Sequence, residues 1–149
     1  MSKTLIKAER DYILTCPYIK DIFKVNANFL DSEVDNFSVI QIPCQPSLNK
    51  GDVLGNKLRQ SKFGLVGRLN YSENTEENIE NMGLFEKFEE WIEENNEKGI
   101  FPILKKGLIP KEINVISNGY ITETAENLDD AVYQIEMQLI YEKEGNYGI

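Results

Sequence analysis

Histidine is absent from all 149 residues, and that absence removes several chemistries at once. Without imidazole there is no Ser-His-Asp or Cys-His nucleophile relay and no histidine metal ligand. Cysteine is scarce. Cys16 and Cys44 stand far apart and match neither a CxxC pair nor a zinc spacing. Two free thiols in a reducing cytosol are expected, and nothing requires a disulfide. Long apolar runs are missing too, since no stretch approaches the roughly 18 apolar residues of a membrane span. The opening MSKTLIKAERDYIL carries Lys7, Glu9, Arg10 and Asp11, which leave no apolar core for a signal peptide. Base is short against acid: 16 Lys+Arg face 25 Asp+Glu, a formal charge of −9. That balance argues against a protein that grips nucleic acid through its phosphates. Gly51, Gly55, Gly64 and Gly67 fit neither a P-loop nor a dinucleotide fingerprint, and Lys105-Lys106 is too short for a nucleic-acid patch.

What remains is ordinary globular material, 41% apolar and 28% charged. The length suits one domain over residues 1–149, with a core of its own. Leu5, Ala8 and Tyr12, with Ile6 and Ile13, recur at helical spacing. They predict a helix over Thr4–Thr15, capped by Ser2 or Thr4 and stopped at Pro17. Phe23–Leu30 is a weak strand candidate. NFSVIQI over Asn36–Ile42 reads as a strand that ends at Pro43. Pro43–Leu58, rich in proline, glycine and turn residues, reads as a long exposed loop. Gln60–Tyr71 alternates cleanly as a half-buried strand, with Gly64 and Gly67 marking a bulge or a close approach. Glu112–Glu123 predicts a strand in which Asn118-Gly119 forms a bulge rather than a hairpin turn. Asp130–Lys143 is the clearest strand, and Asp129-Asp130 reads as the turn before it. The expected fold is α/β of the α+β kind: a mostly antiparallel sheet of four to five strands, with two helices packed on one face.

The segment from Ser72 to about Glu97 predicts the second helix. Leu84, Phe85, Phe88, Trp91, Ile92 and Asn95 share one arc, while Glu86, Glu89, Glu90, Glu93, Glu94 and Glu97 take the opposite side. Ile79 and Met82 fall outside the apolar arc, so a kink or break is expected near Met82-Gly83, and Lys98-Gly99 should close the helix. Within Glu73–Glu97 there are ten carboxylates and one base, Lys87, so this helix alone carries the whole net charge of −9. Its like-charge i,i+4 pairs each cost about 0.2–0.5 kcal/mol at low salt. The stripe reads as a solvated face that keeps the protein soluble, as a docking face for a basic partner or as an acidic surface that repels DNA. Carboxylates on one exposed helix face do not converge on a metal. The even-numbered face of the last strand, with Gln134, Glu136 and Gln138, reads as a sheet face in bulk water, a channel lining or a subunit contact.

Taken in succession, LIKAERDYILTCPYI, NFSVIQIP, QSKFGLVGRLNY, NIENMGLFEKFEEWIEENN, GIFPILKKGLIPKEINVISNGYI and AVYQIEMQLIYEKE carry a likeness that runs from about Leu5 to Glu142. The series resembles the tail terminator (tail-completion) proteins of the head–tail modules of phages and prophages of Gram-positive bacteria, and of phage-tail-like bacteriocins. The resemblance implies a small α/β domain that forms a hexameric ring on the head-proximal end of the tail tube. Such a ring stops tube polymerisation and offers a surface to the neck or connector, or to the sheath in a contractile tail. It also implies no catalytic residue, no cofactor and no metal. The partners would be further copies of the chain, the tube protein, the neck protein and a sheath protein. DNA would be met only in passage, membranes not at all. The protein would reside in the host cytoplasm and then in the particle. By position, three interface surfaces are expected. The loop with Pro43, Gln45, Lys50, Asp52 and Lys57 would reach a neighbour. Arg68, Gln134, Glu136 and Gln138 would line or approach the lumen. Glu86, Glu90, Glu93 and Glu97 would face outward or toward a basic partner. Another neck or head-completion protein, or a small ligand-binding module or enzyme, are the alternative readings.

Overall fold

A computed structural model describes residues 4–20, 24–30, 32–48, 57–71, 75–124 and 130–145. Among them are two helices and five strands, in the order α1 (Leu5–Ile13), β1 (Lys24–Ala27), β2 (Asn36–Ile42), β3 (Lys57–Asn70), α2 (Thr75–Lys98), β4 (Leu108–Thr124) and β5 (Asp130–Lys143). The strands form one sheet in the spatial order β1-β2-β3-β5-β4. All neighbours are antiparallel except β1 and β2, which run parallel. Hence the sheet is mixed rather than purely antiparallel, and the molecule is an α+β fold with its helices packed against the sheet.

Strand parity sorts the side chains. In β5, Ala131, Tyr133, Ile135, Met137, Leu139 and Tyr141 point to the helix side and are buried. Opposite them in β3 stand Leu69, Gly67, Leu65, Phe63 and Ser61, and beyond these in β2 stand Phe37 and Val39. The helices close this face. Phe85 of α2 packs near Phe37 and Tyr133, and Phe88, Ile92 and Ile13 are fully buried beside them. Each such side chain is worth about 1.5–3 kcal/mol. Two glycines make room for this packing. A Cβ on Gly67 would lie 2.4 Å from the Phe37 ring, and one on Gly119 would lie 2.7 Å from the Phe85 Cβ. At Gly67 the close approach is therefore by an aromatic side chain, not by another backbone.

The start of α1 and the end of α2 follow their sequence signals, whereas α1 ends at Ile13 rather than at Thr15. Thr4 Oγ1 accepts the Lys7 N–H at 3.2 Å and caps α1. Gly99, at φ +72°, ends α2. Its N–H reaches Asn96 O, and the Ile100 N–H reaches Asn95 O at 2.8 Å, which makes a Schellman closure. The expected opening of α2 at Ser72–Asn74 lies outside the described residues. The expected break near Met82-Gly83 does not occur, because α2 runs uninterrupted from Thr75 to Lys98. Ile79 lies off the apolar arc and is 63% exposed. Met82 is half-buried at the edge of the core, beside Phe85 and Gly119.

Three strands differ in length from the sequence reading. The weak Phe23–Leu30 candidate contracts to β1, whose Val25 carbonyl accepts from Arg10 Nε at 2.9 Å. β3 starts at Lys57, so the expected loop is shorter than Pro43–Leu58, and a bridge from Ser47 to Arg59 ties its first part to the sheet. β4 is longer than Glu112–Glu123 and passes straight through Asn118-Gly119, where its register against β5 shifts between Ser117 and Tyr120. That is the expected bulge.

Candidate assembly interfaces

The face of the sheet turned away from the helices is built from the even-numbered positions of β3 and β5. Gln134, Glu136 and Gln138 are half-buried there, side by side with Val66, Gly64 and Lys62. Their polar groups bond to one another. Gln138 Nε2 donates to Gln60 Oε1 at 2.7 Å, and the Tyr120 hydroxyl donates to Glu136 Oε2 at 3.0 Å. Desolvation raises the Tyr120 pKa, and so does this carboxylate. Arg68 Nη1 meets Asp130 Oδ1 at 2.9 Å, with both side chains about one-fifth exposed. Asp130 is thus the first residue of β5 and an ion-pair partner, more than a turn residue. Lys111 reaches Glu142 at 3.8 Å. This face therefore offers amides, hydroxyls, two paired cations and the unpaired Lys62, set among the apolar Val66, Val132 and Ile140. The structure brings Arg68, Gln134, Glu136 and Gln138 together, as their alternation demanded.

The second surface is the outer side of α2. Glu86, Glu90, Glu93 and Glu97 are exposed, and none forms an ion pair among the described residues. Glu89 sits lower, half-buried. Desolvation first, then the charges of Glu93, Glu86 and Glu90, hold its pKa above the ordinary value. The C-terminal end of α2 is locked in place. Asn95 Nδ2 donates to the Tyr12 hydroxyl at 3.0 Å, that hydroxyl donates to Ile100 O at 2.9 Å, and Asn96 Oδ1 accepts the Ile113 N–H at 2.9 Å. The acidic stripe is thereby presented on a fixed rod.

The third surface lies where β3 starts and β2 and β5 end. Of the loop residues expected to act here, Pro43, Gln45 and Lys57 are exposed, and Gln45 O accepts from Gln60 Nε2 at 2.8 Å. Lys57 belongs to β3 rather than to the loop. Lys50 and Asp52 lie outside the described residues. Sequence reasoning missed what stands beside this loop. Two adjoining hollows of about 450 and 430 Å³ share Leu5, Gln41, Arg59 and Tyr141 and form one open groove at the N-terminal end of α1. Lys105 and Lys143 line one end and Lys62 the other, and no carboxylate among the described residues lines it. Because the four cations are scattered through the sequence over 84 positions, only the sheet register assembles them.

Beneath this groove, Glu9 of α1 is fully buried. Its Oε2 accepts the Ser61 hydroxyl at 2.8 Å, and its Oε1 has no partner among the described residues. Burial raises its pKa to about 7, and the Ser61 hydrogen bond opposes the rise. Helical spacing carried the signal: Glu9 falls on the arc of Leu5, Ala8, Tyr12 and Ile13, where an apolar residue would be expected. Cys16 is buried and Cys44 half-buried, and both are free thiols. No group of three Cys, Asp or Glu side chains among the described residues is placed to hold a metal ion, and no helix among them is long and apolar enough to cross a membrane.

No family model matches the chain, and no curated protein matches it.

Proposed function

We propose that this protein is a tail terminator: a structural protein that assembles as a ring, six copies being the expected number, on the head-proximal end of a phage tail or tail-like particle. The ring stops polymerisation of the tube and joins it to the neck or, in a contractile tail, to the sheath. It performs no covalent chemistry and acts through shape and contact. It is made in the host cytoplasm and ends in the particle. Its partners are further copies of itself, the tube protein and the neck protein.

The resemblance of the successive segments supports this reading, and one observation of geometry carries it. The open face of the long β3–β5–β4 wall carries Gln134, Glu136 and Gln138 among the apolar Val66, Val132 and Ile140, and its Arg68 and Lys111 each meet a carboxylate, while Lys62 forms no ion pair among the described residues. Uncompensated cations hold DNA through its phosphates, whereas amides and paired ions let it pass. Such a face suits the wall of a channel through which DNA moves without sticking. Long strands cross-braced by side-chain hydrogen bonds also suit a ring that must resist pressure. Electron microscopy of particles assembled without the gene tests the reading. Overlong or headless tails are expected. Tails of normal length joined normally to heads would sink it.

A further inference from the structure

The acid and the base of this chain are left uncompensated on two different surfaces. The groove at the α1 end gathers Arg59, Lys62, Lys105 and Lys143 around a floor that includes Leu5 and Tyr141, with no carboxylate in its wall among the described residues. None of these four cations forms an ion pair among the described residues. Arg59 and Lys62 are half-buried, so part of their hydration is already lost. On α2, Glu86, Glu90, Glu93 and Glu97 stand exposed and equally unpaired. Within a molecule of net charge −9, a groove of pure positive sign is the exception to be explained.

We infer that the groove seats the acidic face of α2 from a second copy of this chain. The four glutamates recur at i, i+4, i+7 and i+11, so they form a straight stripe about three turns long. Cations line both adjoining hollows of the groove, which matches a stripe better than a point ligand. Pairing also relieves the like-charge repulsion along α2, which each free copy bears alone. Where each copy gives its helix to one neighbour and its groove to another, the contact is heterologous and generates a ring or a filament, whereas a reciprocal exchange between two copies would close a two-fold dimer. The inference rests on the ring reading above and names the surfaces that would build the ring.

Charge exchange tests it on the full chain by sedimentation equilibrium at low ionic strength. The wild type should self-associate, and more weakly as salt rises. Lys105→Glu with Lys143→Glu reverses the groove at two exposed positions, and Glu90→Lys with Glu93→Lys reverses the stripe. Each double variant alone should associate at least tenfold more weakly than wild type. An equimolar mixture of the two should recover association, because the acidic helix of one then meets the basic groove of the other, and the reverse. Recovery on mixing also shows that both variants are folded. A wild type that stays monomeric, or variants that associate as it does, would overturn the seat. The second result leaves the ring reading intact with its contacts elsewhere; only normal, normally joined tails in the absence of the gene would remove that reading.

Discussion

A carboxyl group taken out of water must find partners or keep its proton. Glu9 finds one, the Ser61 hydroxyl, and burial lifts its pKa from 4.5 to about 7. Since the folded pKa lies above the unfolded one, the stability tied to this group is complete below about pH 4.5. It falls as pH rises through the window up to about 7. The loss amounts to about 3 kcal/mol once the window is crossed. Glu9→Gln should remove that dependence. The variant is expected to melt well above wild type at pH 8 and close to it at pH 4.5. Equal melting differences at the two pH values would refute the assignment. Glu9 was legible as a charge and as a member of the apolar arc. Its burial was not, because burial depends on Ser61, which lies 52 positions away in a different strand.

At the scale of elements, two glycines with the same sequence signal behave in opposite ways. Gly83 lies inside α2, and a Cβ there would meet nothing within 4 Å. Gly83→Ala is therefore expected to stabilise the protein by about 0.5–1 kcal/mol, by lowering the entropy lost on helix formation. Gly67 lies inside β3 under the Phe37 ring, and Gly67→Ala should cost about 1–3 kcal/mol through overpacking. Urea titrations of the two variants check both signs. If Gly83→Ala weakened the protein, the uninterrupted helix would be in question. Periodicity alone identified both helices, the strands Asn36–Ile42 and Asp130–Lys143, and the two faces of α2. It suggested a break at Met82-Gly83 that α2 does not have, because an exposed Ile79 and an interrupted helix leave the same mark on a helical wheel. Exposure of a lone apolar residue is common and needs no break to explain it.

For the whole molecule, the ring reading makes the open sheet face a passage for DNA, and this has a measurable consequence. Gln134→Lys with Gln138→Lys would place two further cations on that face, at half-buried positions opposite Val66 and Lys62 respectively. Phosphates would then be held where they should slide. Particles carrying the pair are expected to show tails of normal length, with DNA ejection slowed several-fold in a fluorescence release assay. Unchanged ejection would move the lumen to another surface of the protein. The groove and the glutamate stripe belong to this scale too. One is visible along a single helix, whereas the other exists only after β3, β5 and the segment before β4 have met.

Local spacing dictates which segments are helical or extended, which side of each is apolar, that Gly99 ends α2, and that one helix carries the net charge. Those properties follow from spacing and from the conformational limits of single residues. The tertiary structure alone decided the parallel pairing of β1 with β2, the burial of Glu9, and the gathering of Arg59, Lys62, Lys105 and Lys143 into one groove. Each of these depends on contacts between distant parts of the chain. Strand order and register fix such contacts, and a periodic pattern carries no record of which strand lies beside which.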